Sequence, residues 1–196
     1  IKILLQEKQQ ADLKALFEHA AKVFPPLDVS LIQEILVFIT ARAKSVFEEM
    51  GFRRDEIEAS MQGLCNDPYT QLCKIEALHT FRKSGGQIGK LLEVYKRAKG
   101  QLSVPARCSV NLSLLKEHAE KELFCVLTRV KQGWQQTLAA HRYLEALQSI
   151  AMLQEPLARL FDEVQILSED RERVSSALEI DGTAAVYSDF PRIYRQ

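Results

Sequence analysis

The sequence has no stretch of alternating apolar and polar residues long enough to build a sheet, no repeat of fixed period and no low-complexity tract. No apolar run approaches the roughly 20 residues that a membrane span needs, and no signal peptide opens the chain. There are only four cysteines, Cys65, Cys73, Cys108 and Cys125, with no Cys-x-x-Cys pair and no histidine at finger spacing, which argues against a zinc site. Isolated cysteines of this kind are ordinarily buried and reduced, which points to the cytoplasm. Charge of one sign is also missing: 26 basic and 26 acidic residues cancel, so any attraction to a polyanion has to be local.

Catalytic signatures are equally sparse. Gly85-Gly86-Gln87-Ile88-Gly89 lacks the preceding strand and the Lys-Ser/Thr ending of a phosphate-binding loop. The four histidines, His19, His79, His118 and His141, are scattered, and Cys125 has no recognisable histidine partner. His118 and Glu122 stand four apart, a spacing that suits a surface contact on a helix. Glu169-Asp170 reads as a helix start stabilised by the dipole. Neither a catalytic site nor a metal site is expected within these residues.

What is present is helical periodicity along nearly the whole length. The spacing predicts a helix over 6–24, ended by Pro25-Pro26, and a second over 31–50 that starts at Ser30 with Gln33 three residues on. The second carries Leu31, Ile35, Leu36, Phe38, Ile39, Val46, Phe47 and Met50, and reads as the centre of a first unit, with Gly51 as its C-cap. Asp55 is expected to cap a short helix with Ile57, Met61 and Leu64 inward. Asp67-Pro68 marks the start of a helix through Phe81. Gly85-Gly86 then breaks the pattern and places a domain boundary between 1–84 and 87–196. Beyond it the pattern gives helices over about 112–134, about 138–153 and from Pro156 through Val164. The fold class expected is all-α, two packed helical units.

From Arg82 to Arg107 seven basic residues face a single acid, Glu93. This stretch holds Tyr95, Lys96, Arg97 and Lys99 in a short helix, KLLEVYKRAKGQL. Basic residues beside an aromatic suit RNA, while the plain alternative is a solvated helix face. Trp134 follows Arg129 and Lys131 and either stacks a base or packs against its own domain. Tyr194 between Arg192 and Arg195 carries the same choice between a base contact and a frayed tail.

From this helix onward the order of features resembles the C-terminal, DALR-type anticodon-binding domain of the bacterial glycyl-tRNA synthetase beta subunit. The pieces that carry the likeness are YKRAKGQL (95–102), HAEKEL (118–123), YLEALQSIAMLQEPLARLFDEVQILSED (143–170) and SDFPRIYR (188–195). Residues 31–83 resemble the helical segment just upstream in that family, with FITARAKSVFEEMGFRRDEIEAS (38–60) as the strongest part of the match. Leu144, Ala146 and Leu147 match one family element, and Pro156, Phe161, Asp162 and Val164 another. The chain departs from the pattern at Gly100, Ala158, Gln165, Val174, Ser176 and Ala177.

The resemblance implies that 1–84 is a helical domain upstream of the anticodon-binding domain, and that 87–196 is a DALR-like anticodon-binding helical bundle. It implies a part of glycine–tRNA ligase, an aminoacyl-tRNA synthetase of the cytoplasm, whose partners are glycine tRNA and the alpha subunit or a fused alpha region, with no membrane. ATP and Mg2+ serve the whole enzyme, and no cofactor is expected in this fragment. The RNA-binding candidates are Tyr95, Lys96, Arg97, Lys99, Arg129, Lys131, Trp134, Arg192, Tyr194 and Arg195. The first residue is Ile, so the chain reads as a piece of a longer protein. The rival reading is a helical protein–protein interaction or subunit-assembly module without direct RNA readout.

Overall fold

The computed structural model describes residues 1–23, 29–61, 66–85, 88–89, 92–93, 96 and 117–163. Among these residues every regular element is a helix, as the periodicity predicts. They are α1 (Lys2–Gln6), α2 (Leu13–Ala21), α3 (Val29–Glu49), α4 (Arg54–Ser60), α5 (Pro68–Lys83), α6 (His118–Ala139), α7 (Tyr143–Ala151) and α8 (Gln154–Glu163). The chain divides into two compact units, one built on Ile1–His79 and the other on Thr80–Pro191. Helix α5 runs through the division. Of the Gly85-Gly86 pair expected at a boundary, Gly86 lies outside the described residues, and Gly85 follows α5 with φ of +85°.

The first unit is held by a core of Leu5 from α1, Ala43, Val46 and Phe47 from α3, Ile57 from α4, Met61, and Leu72 and Ile75 from α5, with Ile1 and Phe52 against it. Phe47 is fully buried. Burying a side chain of this size contributes roughly 1.5–3 kcal/mol relative to leaving it in water. Gly51 follows α3 with φ of +91°, the left-handed region that an L side chain adopts only with strain, so the turn after α3 calls for glycine.

Asp67-Pro68 behaves as expected. Pro68 opens α5, and Asp67 Oδ1 accepts from the Tyr69 and Thr70 amides at 3.1 and 3.3 Å. The Thr70 hydroxyl donates to Asp67 Oδ2 at 2.6 Å.

Helix α4 is capped by a different route from the one expected. Arg53, not Asp55, is the N-cap, and its amide donates to Glu56 Oε2 at 3.0 Å. Asp55 stands in the first turn and accepts from the Glu56 amide and the Arg53 guanidinium. Glu56 is fully buried, and both of its carboxylate oxygens lie 3.1 Å from His79 Nδ1 on α5. A buried carboxylate needs such partners, because desolvation otherwise outweighs any packing gain. Phe52 meets the His79 ring edge-on at 5.4 Å.

Further expectations are corrected in this unit. Of the helix predicted over 6–24, the part that forms is α2, Leu13–Ala21; α1 ends at Gln6, residues 7–12 are not helical, and α2 buries none of its residues. Pro25-Pro26 lies outside the described residues, as does Leu64. On α3, Ser30 is already helical rather than the cap. Leu36, Val46 and Phe47 are buried as expected, whereas Leu31, Phe38 and Met50 are exposed. The reason is rotational. Phe38 follows Leu36 by two positions, about 200° around a helix, and so lies on the opposite side.

In the second unit α6 packs against both α7 and α8. Ala119, Leu123, Leu127, Val130 and Trp134 line its buried face, and Ala146, Leu147, Ile150, Leu153, Leu157 and Leu160 are buried from the following helices and the turn between them. The Glu117 amide donates to Glu120 Oε2 at 2.9 Å and closes the start of α6. The break between α6 and α7 falls at Ala140–Arg142, later than predicted, with His141 at φ +55°. Pro156 is the third residue of α8 rather than its opening. The expected helix start at Ser168-Glu169-Asp170 lies outside the described residues.

Candidate nucleic-acid interface

Of the ten residues proposed to contact RNA, Tyr95, Arg97, Lys99, Arg192, Tyr194 and Arg195 lie outside the described residues. Lys96 is helical and exposed. Arg129, Lys131 and Trp134 share α6 without sharing one side of it. Trp134 is 8% exposed, and its indole Nε1 is buried with no acceptor among the described residues. Its packing against its own unit, one of the two readings open from the sequence, is what the structure places there. A ring so buried has no open face for a base. Arg129 and Lys131 are both exposed, but two positions apart means about 200° apart around the axis. They occupy opposite flanks of the solvent side and do not address one phosphate together.

The helix does assemble a different set. His118, Lys121, Cys125, Arg129, Gln132 and Gln136 follow one another at three- and four-residue steps, and all are exposed. At 1.5 Å per residue this stripe runs about 27 Å along α6. It contains no acid. The acids of α6 are accounted for elsewhere: Glu120 is buried in the cap, and Glu122 accepts from Arg159 Nη1 on α8 at 3.1 Å. Arg159 also reaches Glu155 at 2.7 Å. His118 stands 3.9 Å from Glu122. No ion pair is seen for Lys121, Arg129 or Lys131 among the described residues, so these charges face solvent.

Lys121 was missed by sequence reasoning. The signal was available as Lys121-Cys125-Arg129, steps of four along one helix, but it emerges only once the buried face fixes which side is out. Chemically, a stripe of two cations with amide side chains can hold phosphate oxygens and offer hydrogen bonds to sugar or base edges. It supplies neither nucleophile nor base. Among the described residues no group of three or more His, Cys, Asp or Glu side chains is placed to hold a metal ion. No described helix is long and apolar enough to cross a membrane.

The two described thiols differ in setting. Cys73 on α5 is partly buried, and burial pushes its thiol up from the ordinary range, partly offset by a hydrogen bond from the Tyr69 hydroxyl. The same contact, with Cys73 as its main cause, raises Tyr69. Cys125 is exposed on the α6 stripe.

No protein-family model matches the chain. Curated relatives do. The chain is 27% identical over 173 residues to the glycine–tRNA ligase beta subunit of Clostridioides difficile (strain 630), a match covering 87% of this chain and 25% of that protein. It is 26% identical over 177 residues to the beta subunit of Pectobacterium carotovorum subsp. carotovorum (strain PC1), covering 88% and 26%. Against that of Syntrophotalea carbinolica (strain DSM 2380 / NBRC 103641 / GraBd1) the figures are 26% over 175 residues, 87% and 25%. The chain thus spans about a quarter of the length of the curated relatives it matches.

Proposed function

We propose that this chain, a relative of the glycine–tRNA ligase beta subunits, serves such a ligase as a tRNA-contacting helical part. The observation that carries the reading is the match to those beta subunits along nearly nine-tenths of the chain. The acid-free stripe of α6 supports an RNA role for the second unit. In this reading glycine tRNA is the RNA, and ATP and Mg2+ act where the adenylate is made, in an alpha subunit or a fused alpha region. Lys96, Lys121 and Arg129 hold phosphates and set register. Anticodon recognition, the finer part of the proposal, falls to bases splayed onto Tyr95 or Tyr194 and read at their edges.

The test is binding to glycine tRNA and to the same tRNA with a changed anticodon, each at two salt concentrations. Tighter binding to the unchanged tRNA supports anticodon reading. Equal and salt-sensitive binding restricts the role to phosphate contact. Removing one cation that neutralises a phosphate of a single strand flattens the salt dependence by about 0.7 log units per log unit of salt. Replacing both Lys121 and Arg129 by Ala is therefore expected to lower the slope by roughly 1.4. An unchanged slope removes the α6 stripe from the interface.

A second reading, an assembly module, is favoured by one observation: the large exposed apolar side chains cluster on the first unit.

A further inference from the structure

Ile3, Leu16, Val23, Leu31, Val37, Phe38 and Met50 are exposed on the first unit, whereas only Met152 is so placed among the described residues of the second. Their arrangement is regular. On α2, Leu13 and Phe17 are half-buried while Leu16, Ala20 and, just past the helix end, Val23 stay open at steps of four and three. On α3, Leu31 and Phe38 are seven residues apart, two turns along one side, with Phe38 72% exposed and Val37 beside it at 53%. These two helices pack on each other. Helix α3 therefore spends one apolar side inside the unit and presents another outside, while on α2 Leu16 and Ala20 carry the half-buried Leu13 and Phe17 side on into the open. A helix that is apolar on more than one side is ordinarily covered on all of them, and stripes at three-, four- and seven-residue steps fit the ridges of another helix.

We infer that the exposed apolar stripes of α2 and α3 are a docking surface for another part of the same polypeptide, seated as a helical segment from outside the 196 residues. The length of the related beta subunits supports this occupant. A chain built like them carries about three times as much polypeptide again as these residues supply. That polypeptide is tethered, so it competes at an effective concentration of about millimolar where the linker is short. Inter-domain contacts within one chain close with about 600–1,500 Å², less than the roughly 1,600 Å² of a stable complex between free partners. A handful of side chains such as Leu16, Val23, Leu31 and Phe38 suits the smaller requirement.

The test uses the full-length polypeptide and reads thiol accessibility by peptide-resolved mass spectrometry. Phe38→Cys and, separately, Leu16→Cys are compared with Met152→Cys under brief maleimide labelling. From the exposures in the 196 residues alone, 72% for Phe38, 56% for Leu16 and 60% for Met152, the three sites would react at similar rates. Covered stripes make the Phe38→Cys and Leu16→Cys thiols at least about 10-fold slower than the Met152→Cys thiol, at every protein concentration. Equal rates in the full-length protein overturn the proposal, since the stripes then face solvent. So does protection that disappears on dilution, which identifies a second copy or a separate subunit as the occupant. The readout involves no RNA, so it stands or fails apart from the tRNA-binding proposal.

Discussion

Helices α3 and α6 are nearly the same length, 21 and 22 residues, and do opposite things with their sides. Helix α6 keeps one apolar face, centred on Leu123, Leu127 and Val130, and turns cations and amides outward. Helix α3 buries Leu36, Ala43 and Phe47, then sets Leu31 and Phe38 in the open on the other side. In its second half that outer side becomes ionic, with Glu49 reached by Lys2 at 3.1 Å and by Arg42 at 3.8 Å. The difference separates two kinds of surface. The outside of α6 is polar and basic, and the outside of α3's first half is apolar and open.

The largest expected effect comes from the buried side of α3. Phe47→Ala is expected to lower unfolding free energy by about 3–5 kcal/mol, the usual cost of truncating a fully buried Phe. Leu127→Ala on the buried face of α6 should cost about 2–5 kcal/mol. Urea denaturation measures both. A loss below about 1 kcal/mol at either position would break the claim that each helix anchors its unit. The same chemical change on the outer side, Phe38→Ala, should move the stability of these residues by no more than about 0.5 kcal/mol. A large loss there would mean that the stripe is already packed.

The smallest effect is a difference between the two described thiols. The Tyr69 and Cys73 pair titrates above its ordinary range, so the folded chain holds these protons where the unfolded chain releases them. Stability from this pair is present below the ordinary thiol value of 9.0 and declines as pH rises through the raised folded value. With neither group fully buried, the slope is shallow. Alkylation reads the same contrast: at about pH 8, iodoacetamide should modify Cys125, on the open side of α6, faster than Cys73, because the thiolate is the reacting species. Equal rates would remove the distinction between the two sites.

Glu49 supplies an independent acid-side check on the ionic half of α3. The hydrogen bond and charge of Lys2 hold its carboxyl below the ordinary value of 4.5, so the small stabilisation is present above that value and is lost as pH falls through the folded one. Lys2→Ala should therefore flatten stability against pH only on the acid side.

Several features needed nothing beyond local chemistry. The absence of strand alternation and the three-to-four spacing of apolar residues establish helices throughout the described chain. Asp67-Pro68 starts a helix because aspartate accepts the free amides of a first turn and proline has no amide to satisfy. Gly51 ends one because a positive φ comes without strain there. Tertiary packing decided the rest. It set which of the apolar positions on α3 are core, since a cylinder cannot bury all sides against one neighbour. It drew Trp134 inward, paired buried Glu56 with a histidine 23 positions away, and turned the side of α6 that carries Lys121 and Arg129 outward. Sequence carries the rise and rotation of each helix, but its phase relative to the core is fixed only when helices meet.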